Sequence, residues 1–268
     1  MTIAAGTRQC GARFDPVPKI VHQTWKTDRV PDEWRPFQAS WTRAHSDWQY
    51  RLWTDADNRQ LVADRYPWFL ATYDAFPRDI QRVDSAKYFI LDTHGGIYAD
   101  LDCECMKPLD ALTSRGGAIV SRTRDGVIDA AVLASPPGHV VWQRVFEQLR
   151  RPTLSARLLR VIPGFQASHV LLTTGTRMLK RVVGRYLESD PPPDDGLTVL
   201  DARFFSSRSW LDRREAFDER DAFVRHHYSD SWLIPSERLV VAALTRRRLR
   251  VALCLLALSA IVLALRWP

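Results

Sequence analysis

A helical hydrophobic period that stops at a Gly-Gly pair and turns at once into an extended apolar run constrains this chain more than any other feature. In "PRDIQRVDSAKYFILDTHGGIYADLD" apolar residues fall at Ile80, Val83, Ala86, Phe89 and Ile90, the spacing of one helix face. Gly95 and Gly96 supply the backbone freedom that ends a helix. "IYADLD" then reads as a β-strand. The alternation recurs along the chain. "KIVHQTW" (Lys19–Trp25) reads as a first strand, "PDEWRPFQASWTRAH" as a helix from Pro31, and "YRLWT" as a second strand. "DADNRQLVADRY" predicts a helix with Asp55 or Asp57 at its N-cap. Further on, "GGAIVSRT" and "DAAVLASP" read as strands, "GHVVWQRVFEQLRR" and "GTRMLKRVVGRYL" as helices, and "LTVLD" and "FVRHHYSDSW" as the last β segments. Strands alternating with helices predict an α/β domain on a mostly parallel sheet.

With 46% apolar and 26% charged residues over 268 positions, the chain can bury a core of its own. We expect an N-terminal extension over 1–17, one domain over 18–245, and a separate tail over 246–268. Much of the net charge of +7 is local: Arg246, Arg247, Arg248 and Arg250 sit together. They precede Val251–Leu265, fifteen residues without a charge. As a helix this run spans about 22 Å, short of a hydrocarbon core of about 30 Å. Leu249 lengthens it, Arg250 and Arg266 can snorkel, and Trp267 suits an interface. The expectation is a hydrophobic tail helix that anchors the chain to a membrane, with the arginines and the domain before them on the cytoplasmic side. A buried C-terminal core helix is the competing reading. The basic cluster thus points to an anionic membrane surface and not to nucleic acid. The first eighteen residues hold no apolar signal region, and the four scattered cysteines suit a reducing compartment.

Asp100 and Asp102 close the strand-like run. Among 24 Asp in 268 residues, roughly two Asp-x-Asp pairs arise by chance. The other pair, Asp55/Asp57, is explained by helix capping. Asp100/Asp102 follow a Gly turn and a β-prone run, where two carboxylates on one face repel unless a cation joins them. Hard oxygen ligands suit Mg²⁺ or Mn²⁺. The carboxyl end of a strand is also where open α/β sheets bind ligands. Cys103 and Cys105 match no usual zinc spacing.

"KIVHQTW", "YRLWTD", "IQRVDSAKYFILDTHGGIYADLDCECMKPLD" and the late "HHYSDSW" together resemble glycosyltransferase family 32, closely from Pro18 to about Asp110 and more loosely to Trp232. The resemblance implies a GT-A-type, Rossmann-like sheet with flanking helices. It also implies a divalent metal, a nucleotide-sugar donor and retention at the anomeric carbon. Carried over by motif, Asp100 would bind donor sugar and ribose, and Asp102 the metal and diphosphate. Asp84 would bind donor sugar hydroxyls. Lys87 stands where the family usually has Arg, which keeps the charge but loses the bidentate fork. Trp25 and Tyr98 would line the donor site, and Ser231 and Trp232 would contact the diphosphate. One of His226 and His227, with His226 favoured, would approach the metal, since strand alternation lets only one face the site. "TTGTRML" resembles the family's Thr-Gly-Pro stretch, with Thr176 in place of Pro.

The expected activity is metal-dependent (Mn²⁺ or Mg²⁺), retaining hexosyl transfer from a UDP- or GDP-hexose to a glycan or lipid-linked acceptor at a membrane face. The competing classes are a non-catalytic membrane scaffold, which Lys87 and Thr176 favour, and a metal-dependent phosphoesterase using the same acidic pair.

Overall fold

The computed structural model describes residues 14–124, 126–160, 165–189, 194–205, 219–229, 231–233 and 237. The expected tail over 246–268 and most of the 1–17 extension lie outside them.

In chain order the strands are β1 (Ile20–Thr24), β2 (Gln49–Trp53), β3 (Gly96–Ala99), β4 (Cys103–Cys105), β5 (Ile119–Arg122), β6 (Ile128–Ser135), β7 (Thr198–Leu200) and β8 (Val224–His226). The helices are α1 (Arg35–Ala44), α2 (Asp55–Arg65), α3 (Pro67–Asp74), α4 (Asp79–His94), α5 (Asp110–Thr113), α6 (Val140–Arg150), α7 (Leu154–Leu159), α8 (Gln166–Thr173) and α9 (Thr176–Leu187). Six strands form one sheet in the order β2-β1-β3-β6-β5-β7, while β4 and β8 form a separate ribbon.

The α/β expectation holds, and so does the mostly parallel sheet: five of its six strands run the same way. β1 runs parallel to β2 and β3, and β5 to β7, but β6 is antiparallel to both its neighbours. The short loop through Gly126 between β5 and β6 makes a hairpin there, which forces antiparallel pairing.

Hydrophobic cores cover both faces of the sheet. Tyr98 and Leu133 face α2, α3, α4, α6 and α9, with Phe69, Phe89, Trp142 and Leu179 filling that layer. Ile97 and Ala99, one residue either side of Tyr98, face the other way onto Trp41 of α1 and onto Cys103, Cys105 and Val224 of the ribbon. The period of two along β3 thus sorts its side chains between two cores.

Two local features set the site. The turn from α4 into β3 needs glycine twice. Gly95 and Gly96 have φ of +63° and +90°, and a Cβ on Gly96 would lie 2.5 Å from the Ile20 carbonyl oxygen. The second is where β3 stops. "IYADLD" does not continue as one strand. The chain leaves the six-stranded sheet after Ala99, and the Cys103 N–H closes a turn onto the Asp100 carbonyl (3.0 Å). Further corrections are smaller. The cap of α2 is Thr54, whose hydroxyl accepts from the Asp57 N–H while the Asp57 carboxylate accepts from the Thr54 N–H, a reciprocal capping box. The helix expected from Pro31 begins at Arg35, and α3, α7 and α8 join the elements read from the sequence.

Candidate active site

The turn after β3 places the two aspartates side by side but in different company. Asp100 N–H donates to the Ala131 carbonyl of β6 (2.8 Å), which fixes the backbone. Its carboxylate Oδ1 accepts from the Tyr98 hydroxyl (3.0 Å) and from Lys87 Nζ (3.3 Å). Burial pushes the Asp100 carboxyl up to about 6, aided by Asp102 and opposed by Lys87. Asp102 instead looks toward β8. Its Oδ2 accepts from the Ser229 N–H (2.9 Å), its carbonyl from the His227 N–H (2.9 Å), and its Oδ1 lies 3.4 Å from His226 Nε2. Burial works against the charge on Asp102, but His226 and the Ser229 N–H outweigh it and hold the carboxyl well below the usual range.

Lys87 is the hub of the buried side. It is 2% exposed, and its ammonium meets three acceptors: Asp84 Oδ1 (3.1 Å), Asp100 Oδ1 (3.3 Å) and the Ala130 carbonyl (3.2 Å). An ammonium has three protons, so none is left for a ligand. Burial opposes the charge, yet Asp100 and Asp84 hold its pKa well above that of an ordinary lysine. A lysine suffices where the family usually has arginine because its task here is to pin two carboxylates.

Asp84, on the same face of α4, accepts a second bond from the Thr174 hydroxyl (3.2 Å). Tyr98 is fully buried, with its hydroxyl between Thr24 Oγ1 (2.8 Å) and Asp100, so it orients the aspartate from within the core. Trp25 packs edge-on against Trp34 at 4.6 Å, in a small cluster with Leu101 of the acidic turn.

The two histidines part as strand alternation requires. His226 sits opposite Cys103 in the ribbon, beside Asp102, and stacks on Tyr228 at 3.9 Å. His227 stacks on Phe37 at 4.0 Å and meets Glu104 Oε2 at 3.1 Å, so its ring is committed away from Asp102. Tyr228 has φ of 52°, and this left-handed step turns the Ser229 N–H onto Asp102. Ser231 is exposed. Trp232 packs near Ala167 and Leu233 and accepts from Arg78 Nη2 through its carbonyl (2.6 Å).

Sequence reasoning missed Asp129 and Ser229, and it singled out the stretch holding Thr174 without giving that residue a role. Asp129 has a signal in hindsight, an acid heading the wholly buried run of β6. Its Oδ2 lies 3.7 Å from His226 Nδ1, too far for a hydrogen bond, and that buried nitrogen has no partner. Thr174 and Ser229 act through contacts that only the fold brings together.

Among the described residues the cluster holds more carboxylates than cations. Asp84, Asp100, Asp102 and Asp129 face two cations, Lys87 and a His226 whose pKa is raised to about 10 because Asp102 and Asp129 outweigh the effect of burial. One oxygen of Asp102, a nitrogen of His226 and the Cys103 sulfur come within 4.8 Å of one another. Burial raises the Cys103 thiol well above its usual value, so it stays protonated and is a poor ligand. The remaining carboxylate and imidazole, with surplus negative charge around them, fit a hard or borderline divalent cation.

The model of the family described as "Glycosyltransferase sugar-binding region containing DXD motif" matches residues 31–116. Residues 31–116 are thus similar to DXD glycosyltransferase regions. The resemblance to glycosyltransferase family 32 is borne out by this match and by the relatives. The chain is 33% identical over 216 residues to inositol phosphoceramide mannosyltransferase 2 of Schizosaccharomyces pombe, covering 81% of this chain and 58% of that protein. It is 44% identical over 135 residues to inositol phosphoceramide mannosyltransferase 3 of the same organism, covering 50% and 38%. The matched stretches therefore span only 58% and 38% of the length of these two relatives. Among solved structures it is similar to the PaToxG glycosyltransferase, at 13% identity and a TM-score of 0.48 over 65% of this chain and 72% of that one. The DXD residues of this region are Asp100 and Asp102.

Proposed function

We propose that the chain is a metal-dependent, retaining glycosyltransferase that moves a hexose, mannose in the first instance, from a nucleotide sugar to a lipid-linked acceptor. The relatives' names support mannose and an inositol phosphoceramide acceptor. The observation that carries the reading is the pair of half-buried carboxylates at Asp100 and Asp102, inside the matched DXD region, beside an imidazole nitrogen with no hydrogen-bond partner.

Asp102 and His226 would hold the metal, which supplies charge to offset the diphosphate when bound. Taking up a cation there requires His226 to give up its proton. Asp84 and Asp100 are held in fixed orientation by Lys87, Tyr98 and Thr174, and so present preset acceptors to donor hydroxyls. Lys87 acts through them and does not reach the phosphates. Both Asp84 and Asp100 are pinned, so neither is free to attack the anomeric carbon. A front-face route follows. The bond from the anomeric carbon to the diphosphate oxygen breaks with its electron pair leaving on oxygen. The acceptor hydroxyl oxygen bonds the carbon on the same face, and its proton passes to the departing phosphate.

The basic run at Arg246–Arg250 and the apolar run after it would hold this site at the cytoplasmic face of a membrane. Among the described residues no helix is long and apolar enough to cross a membrane.

The direct test is transfer by the full chain, with Mn²⁺, from GDP-mannose and from UDP-hexoses to an inositol phosphoceramide. Labelled product from one donor, lost on chelation, is the expected result. Inorganic phosphate released without sugar transfer would favour a phosphoesterase. Nucleotide-sugar left intact under all conditions would favour a scaffold.

A further inference from the structure

A cavity of about 630 Å³ lies between α3, α6, α7 and α8, and none of the aspartates above lines it. Its walls divide by chemistry. One side is apolar, from Ala71, Ala75, Phe76, Pro77 and Leu149; the other carries Arg150, Arg157, Arg160, His169 and Thr173, with no carboxylate in the lining. Arg150 is anchored, its guanidinium 3.6 Å above the Trp68 ring. Arg157 and Arg160 lie three apart on one short stretch and pair with no carboxylate among the described residues. His169 is buried, and burial together with Arg160 lowers its pKa, so it is a neutral donor rather than a third free cation.

The cavity is tied to the active site through α4. Gln81 donates to Thr173 (2.8 Å) and approaches His169 Nδ1 (3.5 Å); Thr174, the next residue, donates to Asp84. Gln81 and Asp84 are one helical turn apart, a rise of about 5 Å. Leu154 and Leu158 of α7, the helix that carries Arg157, are 72% and 55% exposed and one turn apart.

Unpaired arginines attract planar or tetrahedral oxyanions, and phosphate above all. Apolar walls and exposed leucines beside them suit hydrocarbon. We propose that this cavity binds a phosphate ester that carries an apolar chain, with Arg157 and Arg160 on the phosphate, His169 on a neighbouring oxygen, and α7 against the chain. This deepens the transferase reading, on which it rests: the cavity is the acceptor's seat, one turn of α4 from the donor carboxylate Asp84.

The test uses the full chain and three soluble probes: inorganic phosphate, glycerol 3-phosphate, and dihexanoyl phosphatidylglycerol below its micelle concentration. Calorimetry should show the short-chain lipid binding at least ten-fold tighter than glycerol 3-phosphate. Arg157→Ala/Arg160→Ala should weaken both at least ten-fold, Arg157→Lys/Arg160→Lys should restore most of the loss, and nucleotide binding should be unchanged in all variants. Equal affinity for the lipid and for inorganic phosphate would assign the cavity to free phosphate and overturn the amphiphile. No saturable binding, or binding indifferent to the alanine pair, would overturn the site. Absence of nucleotide binding in the wild-type chain, with lipid binding intact, would sink the transferase reading and the acceptor role with it, and leave only the binding of the phosphate ester.

Discussion

The start and the end of β3 each hold a buried polar centre, and the two are built on opposite terms. At the start, His22 of β1 places its ring between two partners. Nε2 meets the Gly95 carbonyl at 3.0 Å and Nδ1 accepts from Trp53 Nε1 at 3.0 Å. Burial drives this imidazole's pKa down to about 3, so it is neutral, and both ring nitrogens are satisfied. At the end of β3, four carboxylates crowd Lys87 and His226 among the described residues, one imidazole nitrogen has no hydrogen-bond partner, and an adjacent tyrosine sits in the left-handed region. A centre whose hydrogen bonds close on themselves holds the sheet together. A centre left with crowded charge and an unmade hydrogen bond is arranged for something that is not part of the chain.

Each half of this contrast can be broken separately. The largest effect belongs to Asp100→Asn, which keeps the shape but removes a donor-facing charge. Sugar transfer should fall on the order of 1,000-fold, with thermal unfolding little changed; transfer within three-fold of wild type would remove Asp100 from the site. Next comes Lys87→Met. It strands Asp84 and Asp100 without their cation, and loss of one partner of a buried ion pair costs about 3–5 kcal/mol. Denaturant unfolding should show that loss, and Lys87→Arg should recover part of it. A stable Lys87→Met protein would mean that water reaches these carboxylates.

His22→Phe should cost about 2–4 kcal/mol, because the Gly95 carbonyl and the Trp53 N–H both lose their partner. Nucleotide affinity should not move; a weaker affinity would show that the two ends of β3 are coupled.

The two histidines should also respond to pH with opposite sign. His22 has a depressed pKa, so its stabilisation is complete above the unfolded value of about 6.5 and is lost as pH falls toward 3, by about 1.4 kcal/mol per unit. His226 has a raised pKa, so without metal its stabilisation is complete below about 6.5 and is lost as pH rises toward 10. Unfolding of wild type, His22→Gln and His226→Gln between pH 5 and 9 checks this. Differences from wild type that run in the same direction for both variants would contradict it. The smallest effect is that of Tyr98→Phe, about 1 kcal/mol for one lost hydroxyl, with a modest loss of donor affinity through a less fixed Asp100.

The closed centre and the open one were unequally legible in the sequence. The α4–Gly95–Gly96–β3 unit follows from local chemistry: a helical period, two glycines that must adopt positive φ, and a β-prone run. The acidic pair was legible as a pair, but not the reason it converges. A period of two along a single strand would have put both aspartates on one face. The structure ends the strand at Ala99 and uses a turn, which gives each carboxylate its own partners. Which strand β4 meets, and hence which histidine reaches Asp102, depends on a pairing across more than a hundred residues that no local pattern encodes. Lys87 illustrates the same limit from another side. Its type was read as a weakened contact to the donor, whereas its burial and three acceptors make it the support for Asp84 and Asp100. The antiparallel placement of β6 had a local cue, the short glycine-bearing loop before it, which the alternation of strands and helices outweighed.

The central claim is that the open centre at the end of β3 takes a divalent cation and, with it, a nucleotide diphosphate. Calorimetric titration of GDP and of UDP into the full chain, with and without Mn²⁺, and into Asp102→Asn, tests it most directly. The account predicts saturable binding of one nucleotide that requires Mn²⁺ and disappears in Asp102→Asn. Binding that is equally strong without metal, or that survives in Asp102→Asn, would contradict it.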